Sequence, residues 1–414
     1  MEDKGISLKK NILWNSIGNI TYLFLQWLIT IVIVRVTTYR EAGIYSLAIS
    51  LTNVLSCIAL WGVRNYQVSD ISNKYSDGEY VIARYITCFI TFIACISVVL
   101  INSYNLEQSA VIIVYMIFRI GEAFVDVLHG IDQKEYRMDY IGRSFILRGV
   151  LSFLVFSFAL IFTRNLIVSI LFMTIATFAV IIFYDYIVVR KVNNTIKVYK
   201  KKNVYKLLKE GIILVVYMIA ITAIPTVPRY FLEKMYGQNM FGIYATIATP
   251  AVLIQAAISY IISPLIGPIS EYFENGNKKK ILYYITVPII GIFVFLLFCL
   301  IAVNFIGDFC LEFLFGEEIL AYSYLLAPAL VATAATAISL FVNTLLTIFR
   351  NFKGLLFSNL SGLYCSIIFS KLLISNFSLN GTSFTHIISM IVQVIIGSIF
   401  IFFTIKHMSI KKKN

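Results

Sequence analysis

Four charged or titratable residues occupy one apolar stretch of the chain, "FRIGEAFVDVLHG". These residues are Arg119, Glu122, Asp126 and His129. Their spacings of 3, 4 and 3 residues align them along one face of an α-helix. In a helix that crosses a bilayer, a charged side chain near the centre costs roughly 2.5–3.5 kcal/mol, so such residues face a bundle interior or a wet cavity. The pattern predicts a polar helix face that lines a binding or transport pathway.

The members of this group differ in the chemistry that they suit. A guanidinium binds phosphate oxygens in a bidentate geometry, so we expect Arg119 to face a cavity and attract substrate phosphate. We expect Glu122 or Asp126 to carry a coupling proton or cation, H+ or Na+, with no other cofactor and no metal site. The alternative is an Arg119–Glu122 pair that neutralises itself within the helix, with Asp126 and His129 near the cytoplasmic interface.

The composition places these residues in a membrane protein. Of 414 residues, 59% are hydrophobic and only 13% are charged, and the mean hydropathy is +0.86. Soluble domains carry roughly 25% charged residues. The apolar residues come in blocks of about 20, which is the length that an α-helix needs to cross a bilayer. The sequence therefore predicts an all-α polytopic membrane protein.

Twelve membrane spans are predicted along the chain. They cover residues 12–36, 42–63, 82–102, 109–130, 144–163, 166–189, 210–232, 241–266, 281–304, 319–344, 355–375 and 382–405. With this count, 27 of the 34 lysines and arginines lie on the side of the N-terminus and five on the opposite side. An excess of basic residues marks the cytoplasmic side. We therefore expect both termini in the cytoplasm and the chain in a bacterial cytoplasmic (inner) membrane.

A short repeat suggests two related halves. Residues 43–50 read "GIYSLAIS" and residues 242–249 read "GIYATIAT". Each copy opens the second predicted span of a set of six, which predicts two six-helix bundles with the same orientation. The chain is expected to consist of an N-terminal bundle at 1–189, a basic cytoplasmic linker at 190–209, a C-terminal bundle at 210–405 and a basic cytoplasmic tail at 406–414.

Seven further basic residues are candidates for contact with an anionic substrate. Those near the outer ends of spans are Arg35, Arg229 and Lys371. They are expected to line the cationic cavity, with anchoring or snorkelling at the interface as the alternative. Those near cytoplasmic ends are Arg64, Arg84, Arg143 and Arg148. They are expected to attract the substrate from the cytoplasm, although the positive-inside bias alone also explains them.

Two prolines in "AIPTVPRYF", Pro225 and Pro228, are predicted hinge positions in the second half. Proline removes a backbone donor and clashes with the carbonyl one turn back, so it bends a helix. The alternative is a pair of static kinks whose freed carbonyls are satisfied by neighbouring groups.

Three segments of the first half resemble one group of membrane transporters. They are "SLKKNILWNSIGNITYLFLQWLITIVIVR" at 7–35, "LWGVRNYQVSDISNKYS" at 60–76 and "GIDQKEYRMDYIGRSFILR" at 130–148. Together with the repeat, they resemble the Wzx-type polysaccharide flippases of the multidrug/oligosaccharidyl-lipid/polysaccharide (MOP) exporter superfamily. The resemblance implies a V-shaped pair of bundles around a cavity, as in MATE transporters. It also implies the flipping of a polyprenyl-diphosphate-linked oligosaccharide, with an undecaprenyl-type lipid, for O-antigen (lipopolysaccharide) or capsule synthesis.

Other function classes fit the residues less well. An enzyme of the same sugar pathway needs a sizeable outer loop and a reactive constellation, and the sequence shows neither. A cation-coupled drug antiporter of the MATE type needs acidic residues in its cavity, and the deep charges here include Arg119. No nucleic-acid partner is expected, because the basic runs accompany no soluble domain. A polymerase and a chain-length regulator of the same pathway are candidate protein partners.

Overall fold

A computed structural model describes residues 8–70, 73–192, 199–262 and 265–411. These ranges contain fourteen α-helices and no β-strand. The helices are α1 (Leu8–Val36), α2 (Tyr39–Leu60), α3 (Val63–Ser69), α4 (Asp77–Asn102), α5 (Leu106–Lys134), α6 (Met138–Thr163), α7 (Leu166–Val180), α8 (Tyr186–Val192), α9 (Lys201–Ile262), α10 (Ile266–Glu274), α11 (Lys278–Phe315), α12 (Leu326–Ile348), α13 (Phe352–Phe377) and α14 (Asn380–Lys411). A π-helical turn, Ile181–Asp185, joins α7 to α8, and a 3₁₀ segment, Glu317–Leu325, precedes α12.

The length of the helices confirms the prediction of an all-α polytopic membrane protein. Ten helical runs within the described residues are long and apolar enough to cross a bilayer. The helix α5 is not among the ten, and its apolar stretch carries the charged residues Arg119, Glu122 and Asp126. The run that contains α9 counts once, although Gly237 (φ 79°, ψ 176°) interrupts it between two predicted spans. With α5 included and α9 counted as two spans on either side of Gly237, the number becomes the predicted twelve.

Contacts between Cα atoms divide the chain into two compact units, Met1–Ile219 and Ala220–Asn414. The division falls inside α9. The predicted boundaries of the two bundles and of the basic linker at 190–209 stay a prediction, and residues 193–198 of that linker lie outside the described residues. In the C-terminal segment at 406–414, residues 412–414 also lie outside them. The two repeated octets occupy α2 and the part of α9 that follows Gly237, and most of their residues are buried.

In the first unit, α1 and α6 approach each other closely at two glycines. A Cβ atom added to Gly18 would collide with the backbone of Gly142, and one added to Gly142 would collide with the backbone carbonyl of Trp14. Side chains at helix ends add cross-links, such as the Asn11 Nδ2 donor to the Tyr136 carbonyl at 2.6 Å. This contact holds the start of α6 against α1.

In the second unit, α12, α13 and α14 form the buried part and α11 the exposed part. In the apolar stretch of Glu317–Ile348, which contains α12, 67% of the residues are buried. In the apolar stretch of α11, Lys278–Phe315, only 6% are buried. Three carboxamides cross-link the buried helices: Asn343 and Gln393 meet at 2.9 Å, and Asn359 donates to the Asn343 side-chain oxygen at 2.9 Å. Neutral hydrogen bonds of this kind hold membrane helices together.

The helix α9 continues through Pro225 and Pro228, and its only non-helical residue in the described part is Gly237. The carbonyl of Ile224, which lies four residues before Pro228 and lacks its usual N–H donor, accepts a hydrogen bond from Ser366 Oγ at 2.8 Å. The structure therefore supplies a partner for a carbonyl that the proline frees. A hinge at Pro225 and Pro228 stays a prediction.

Candidate functional site: a charged cavity in the first unit

Helix ends set the register of the side chains that form the site. The helix α4 begins with a capping box in which Ser76 and Glu79 each bond the other's backbone N–H, and Asn105 and Gln108 do the same at the start of α5. Between α2 and α3, Trp61 and Gly62 adopt left-handed φ values of 47° and 63°. This tight turn carries Arg64 on α3 to the end of the bundle where α4 begins.

A cavity of about 140 Å³ lies between α2, α3, α5 and α6. Its polar lining is Ser56, Arg64, Arg119, Glu122, Asp126, His129 and Arg148, and its apolar lining is Leu60, Ala123, Val125 and Phe145. All four residues of the predicted polar face of α5 therefore line one cavity. Two of the arginines expected near the cytoplasmic ends of spans, Arg64 and Arg148, line it as well.

Asp126 is held between two guanidinium groups. Arg84 Nη2 donates to Asp126 Oδ2 at 2.7 Å, and Arg64 Nη1 donates to Asp126 Oδ1 at 3.2 Å. The Arg84 side chain is completely buried and also donates to the carbonyl of Ala59 near the end of α2. Such a contact satisfies a carbonyl that the helix leaves without an intrahelical partner.

Glu122 forms an ion pair with Arg148, whose side chain is 1% exposed. The Arg148 Nε also donates to Ser144 Oγ at 3.2 Å, and the guanidinium lies 5.1 Å from the ring centroid of Phe145. Arg148 stands ten residues into α6, which is about 15 Å along the helix axis. Arg148 is therefore buried within the bundle and paired with a carboxylate, and its role in substrate entry from the cytoplasm stays a prediction.

Arg119 differs from these arginines because it has no carboxylate partner in the part of the chain that the structure describes. Its Nη2 donates to Ser56 Oγ at 3.3 Å, and its buried Nε has no hydrogen-bond partner among the described residues. The alternative of an Arg119–Glu122 pair within α5 does not form, since the Glu122 carboxylate bonds Arg148. The cavity lining thus contains three guanidinium groups and two carboxylates. Arg64 and Arg148 pair with these carboxylates, and among the described residues Arg119 pairs with neither.

The other predicted substrate-binding and entry residues are not part of the lining of this cavity. Arg143 is 48% exposed, 4.0 Å from Asp139 Oδ2 and 5.4 Å from the ring of Trp14. Arg35 is exposed in the last turn of α1. In the second unit, Arg229 is half-buried on α9 and Lys371 is exposed on α13.

The second unit holds a larger cavity of its own, of about 790 Å³. It is bordered by the ends of α10, α12 and α14, and its lining is Ser270, Phe273, Glu274, Gly276, Ile348, Arg350, Asn351, Phe403, Thr404 and His407. None of the predicted site residues lines it. The smaller cavity is the better candidate site, because deep charges converge there on a guanidinium without a partner.

The pairing of the charges is the feature that the sequence did not predict. Arg84 and Arg148 come from α4 and α6, far along the chain from the carboxylates on α5 that they bind. The predicted span begins at residue 144, four residues before Arg148, whereas α6 begins at Met138. The earlier start places Arg148 ten residues into the helix instead of near its end. The aromatic ring beside it, Phe145, has no distinguishing signal in so aromatic a chain.

Comparison with known proteins identifies the family. The sequence profile described as "polysaccharide biosynthesis protein" matches residues 8–273, which is more than half of the chain. The chain belongs to this family. It is also 28% identical to the capsular polysaccharide biosynthesis protein CapF of Staphylococcus aureus over 393 residues, which are 93% of this chain and 97% of CapF.

Solved structures show the fold of this family member. The lipid II flippase MurJ, in an inward closed conformation, aligns with a TM-score of 0.77 at 11% identity, covering 96% of this chain and 90% of MurJ. A multidrug resistance MATE family transporter of the MOP superfamily, in an inward-facing conformation, aligns with a TM-score of 0.75 at 11% identity, covering 96% and 99%. The predicted MOP-type fold is confirmed. The solved proteins that share it are a flippase and a transporter, not enzymes of sugar transfer.

Proposed function

We propose that this polysaccharide biosynthesis protein flips polyprenyl-diphosphate-linked oligosaccharides from the cytoplasmic to the outer leaflet by alternating access. The expected lipid is of the undecaprenyl type, and the glycan is a repeat unit of a capsule or O-antigen. The membership of the family, the likeness to CapF and the MOP-type fold support a flippase. The excess of basic residues on one side supports a bacterial cytoplasmic membrane with both termini in the cytoplasm.

Arg119 is the observation that carries the proposal. It lines the cavity beside two guanidinium–carboxylate pairs and has no carboxylate partner within the described residues. Charged side chains within membrane helices face a water-filled cavity or pair with an opposite charge, so Arg119 is placed to bind an anion that enters the cavity. A phosphate supplies that anion, and a guanidinium holds it in a bidentate geometry.

The size of the cavity indicates which part of the substrate it holds. Pockets that enclose a drug-sized ligand have volumes of about 300–1,000 Å³, and this cavity has about 140 Å³. It accommodates the diphosphate and excludes most of the glycan and the lipid. In this proposal, Arg35, Arg229 and Lys371 meet the diphosphate at later stages of its transfer towards the outer leaflet.

The sign of the cavity argues against the alternative of a MATE-like antiporter for cationic drugs. A cationic drug needs carboxylates that are free to bind it. Here Asp126 and Glu122 are each engaged by buried or half-buried guanidinium groups. The group that remains for a ligand is the positive Arg119.

The test is a flipping assay on purified protein in liposomes with a fluorescent polyprenyl-diphosphate oligosaccharide. A hydrogen bond to a charged group contributes about 1.5–3 kcal/mol, and each 1.4 kcal/mol corresponds to about a factor of ten. We therefore expect Arg119→Ala to lower the initial rate about 10- to 100-fold. Arg119→Lys keeps the charge without the bidentate fork and is expected to restore only part of the rate.

The matched control is Arg40→Ala, because Arg40 forms an exposed ion pair with Glu107 that is remote from the cavity. We expect this variant to flip the probe at the rate of the unchanged protein. An Arg119→Ala protein that is correctly inserted and equally fast would refute the role of Arg119. Failure of the unchanged protein to flip the probe would refute the substrate class.

A further inference from the structure

A second group of titratable side chains lies next to the cavity and takes no part in the guanidinium pairs. It consists of His129, Asp132 and Asp185, which we call the buried acid cluster. The residues are 1%, 1% and 2% exposed. His129 and Asp132 lie one turn apart near the end of α5, and Asp185 closes the π-helical turn between α7 and α8.

The polar atoms of the cluster are poorly satisfied. His129 Nε2 lies 3.4 Å from Asp185 Oδ1, which is within ion-pair distance but without the geometry of a hydrogen bond. Asp132 Oδ1 and Asp185 Oδ2 have no hydrogen-bond partner among the described residues. An ionised carboxylate buried without partners costs several kcal/mol. Burial of these groups without hydrogen-bond partners therefore favours the binding of a proton among them.

The cations around the cluster are bound to other carboxylates and do not supply the missing hydrogen-bond partners. The charged or titratable neighbours of the cluster are Arg64 on α3, Arg137, Asp139 and Arg148 at or on α6, and Tyr184 in the π-helical turn, which in turn lies near Arg143. Arg64 binds Asp126, and Arg148 binds Glu122. Arg137 binds the fully buried Asp139 with an Nε to Oδ1 distance of 2.9 Å.

We propose that the buried acid cluster binds the proton whose uptake is coupled to anion binding in the adjacent cavity. The inference rests on the proposed function. It moves the coupling group from Glu122 and Asp126, which guanidinium groups occupy, to His129, Asp132 and Asp185. A proton is favoured over a metal ion, because no three His, Cys, Asp or Glu side chains of the described chain are arranged to hold a metal.

The coupling follows from the position of His129, which belongs to the cluster and also lines the cavity. Binding one proton from water adds one positive charge beside the cavity and creates an N–H or O–H donor between His129 and Asp185. No covalent bond to carbon changes. An anion in the cavity then strengthens proton binding, and the proton strengthens anion binding by the same factor, as linkage requires.

Calorimetry on the full-length protein in lipid nanodiscs tests this coupling. Farnesyl diphosphate serves as the probe, and titrations in two buffers of different ionisation enthalpy give the number of protons taken up per probe bound. We expect uptake of a fraction of a proton near neutral pH by the unchanged protein. We expect Asp185→Asn, Asp132→Asn and His129→Gln to abolish this uptake while the probe still binds.

Control variants decide which carboxylates are involved. Asp308→Asn removes an exposed carboxylate on α11, and it should leave the proton uptake unchanged. The inference is wrong if all three cluster variants retain proton uptake, and its loss in Glu122→Gln or Asp126→Asn would then assign the proton to the carboxylates of the guanidinium pairs. The Asn and Gln substitutions stay close to the size of the original side chains. Because the cluster is tested at three positions, the test still works if one of the variants does not fold.

A measurement without the probe separates this inference from the proposed function. The chain has three histidines, so ¹⁵N-histidine spectra are assigned with His386→Gln and His407→Gln. Between about pH 5 and about pH 9, the His129 signal should respond to protonation of the cluster, and Asp185→Asn should change its titration. A His129 signal that is insensitive to both would overturn the inference. Absence of probe binding with a responsive His129 would refute only the proposed substrate.

Discussion

Arg84 and Arg148 are the two largest of the fully buried side chains. Each forms an ion pair with a carboxylate of α5, Arg84 with Asp126 and Arg148 with Glu122. Two charges that are buried together contribute little net stability, but removal of one partner leaves the other uncompensated in a region of low dielectric. These pairs therefore set the arrangement of the cavity wall, and among the described residues they leave Arg119 without a carboxylate partner.

The pair of Arg148 and Glu122 predicts an asymmetric response to mutation. Glu122→Leu should lower the free energy of unfolding by about 3–5 kcal/mol, because it strands a buried guanidinium. The double variant Glu122→Leu with Arg148→Met should recover most of this loss. Thermal unfolding in detergent measures the loss in the single variant and the recovery in the double variant. The exposed pair of Arg40 and Glu107 is the comparison, where Glu107→Leu should cost at most about 1 kcal/mol. Equal losses at the two pairs would contradict the prediction.

At the scale of elements, the position of α6 depends on its close approach to α1. The approach is permitted by Gly18 and Gly142, whose absent side chains leave the two backbones in contact. Small residues at such crossings are a general device of membrane helices. Because α6 carries Arg148, the distance between α1 and α6 also positions the cavity wall.

We expect Gly142→Ala to destabilise the protein by about 1–3 kcal/mol, because the added methyl group collides with backbone that cannot move aside. Gly291→Ala is the matched control. A Cβ atom at Gly291 on α11 has no atom within 4 Å, so only the helix propensity of alanine acts there, and it favours stability. Melting temperatures of the two variants in the same detergent make the comparison. A Gly142→Ala protein as stable as Gly291→Ala would disprove close packing at this crossing.

At the scale of the whole molecule, orientation is a matter of charge. The chain has a net charge of +13, and the predicted cytoplasmic segments contain 27 of its 34 basic residues. Lys74, in the segment between α3 and α4, shows how part of this charge is used. The ammonium lies 3.0 Å from Glu210 Oε1, and this contact raises the pKa of Lys74. On the predicted cytoplasmic side, we expect exposed cations such as Lys202 to lie against anionic lipid headgroups.

Cysteine accessibility tests the orientation. In a chain whose six cysteines are replaced by serine or alanine, single cysteines at Glu107 and Arg164 should react with a membrane-impermeant maleimide added outside intact cells. Cysteines at Lys74 and Lys201 should react only after the membrane is opened. The reverse pattern would show that the positive-inside assignment is wrong. Reaction of all four positions in intact cells would show that the number of spans is wrong.

The sequence by itself determined the membrane class, the spans and the polar face of α5. These features follow from local regularities: apolar blocks of bilayer length, and charges repeated at helical spacing. Within the described residues the predicted spans fall almost entirely on helices, because lipid demands that each spanning segment satisfy its own backbone. Residues 119, 122, 126 and 129 share a cavity because they share one helix face.

Only the tertiary structure decided which charges are committed and which remain available. The partners of Asp126 and Glu122 come from α3, α4 and α6, and no local pattern states how those helices are rotated about their axes. The same limit applies to Asp185, which meets His129 56 residues away in sequence. Helix formation is a local property of the chain. The choice of partner for a buried charge depends on the close contact of several helices at once.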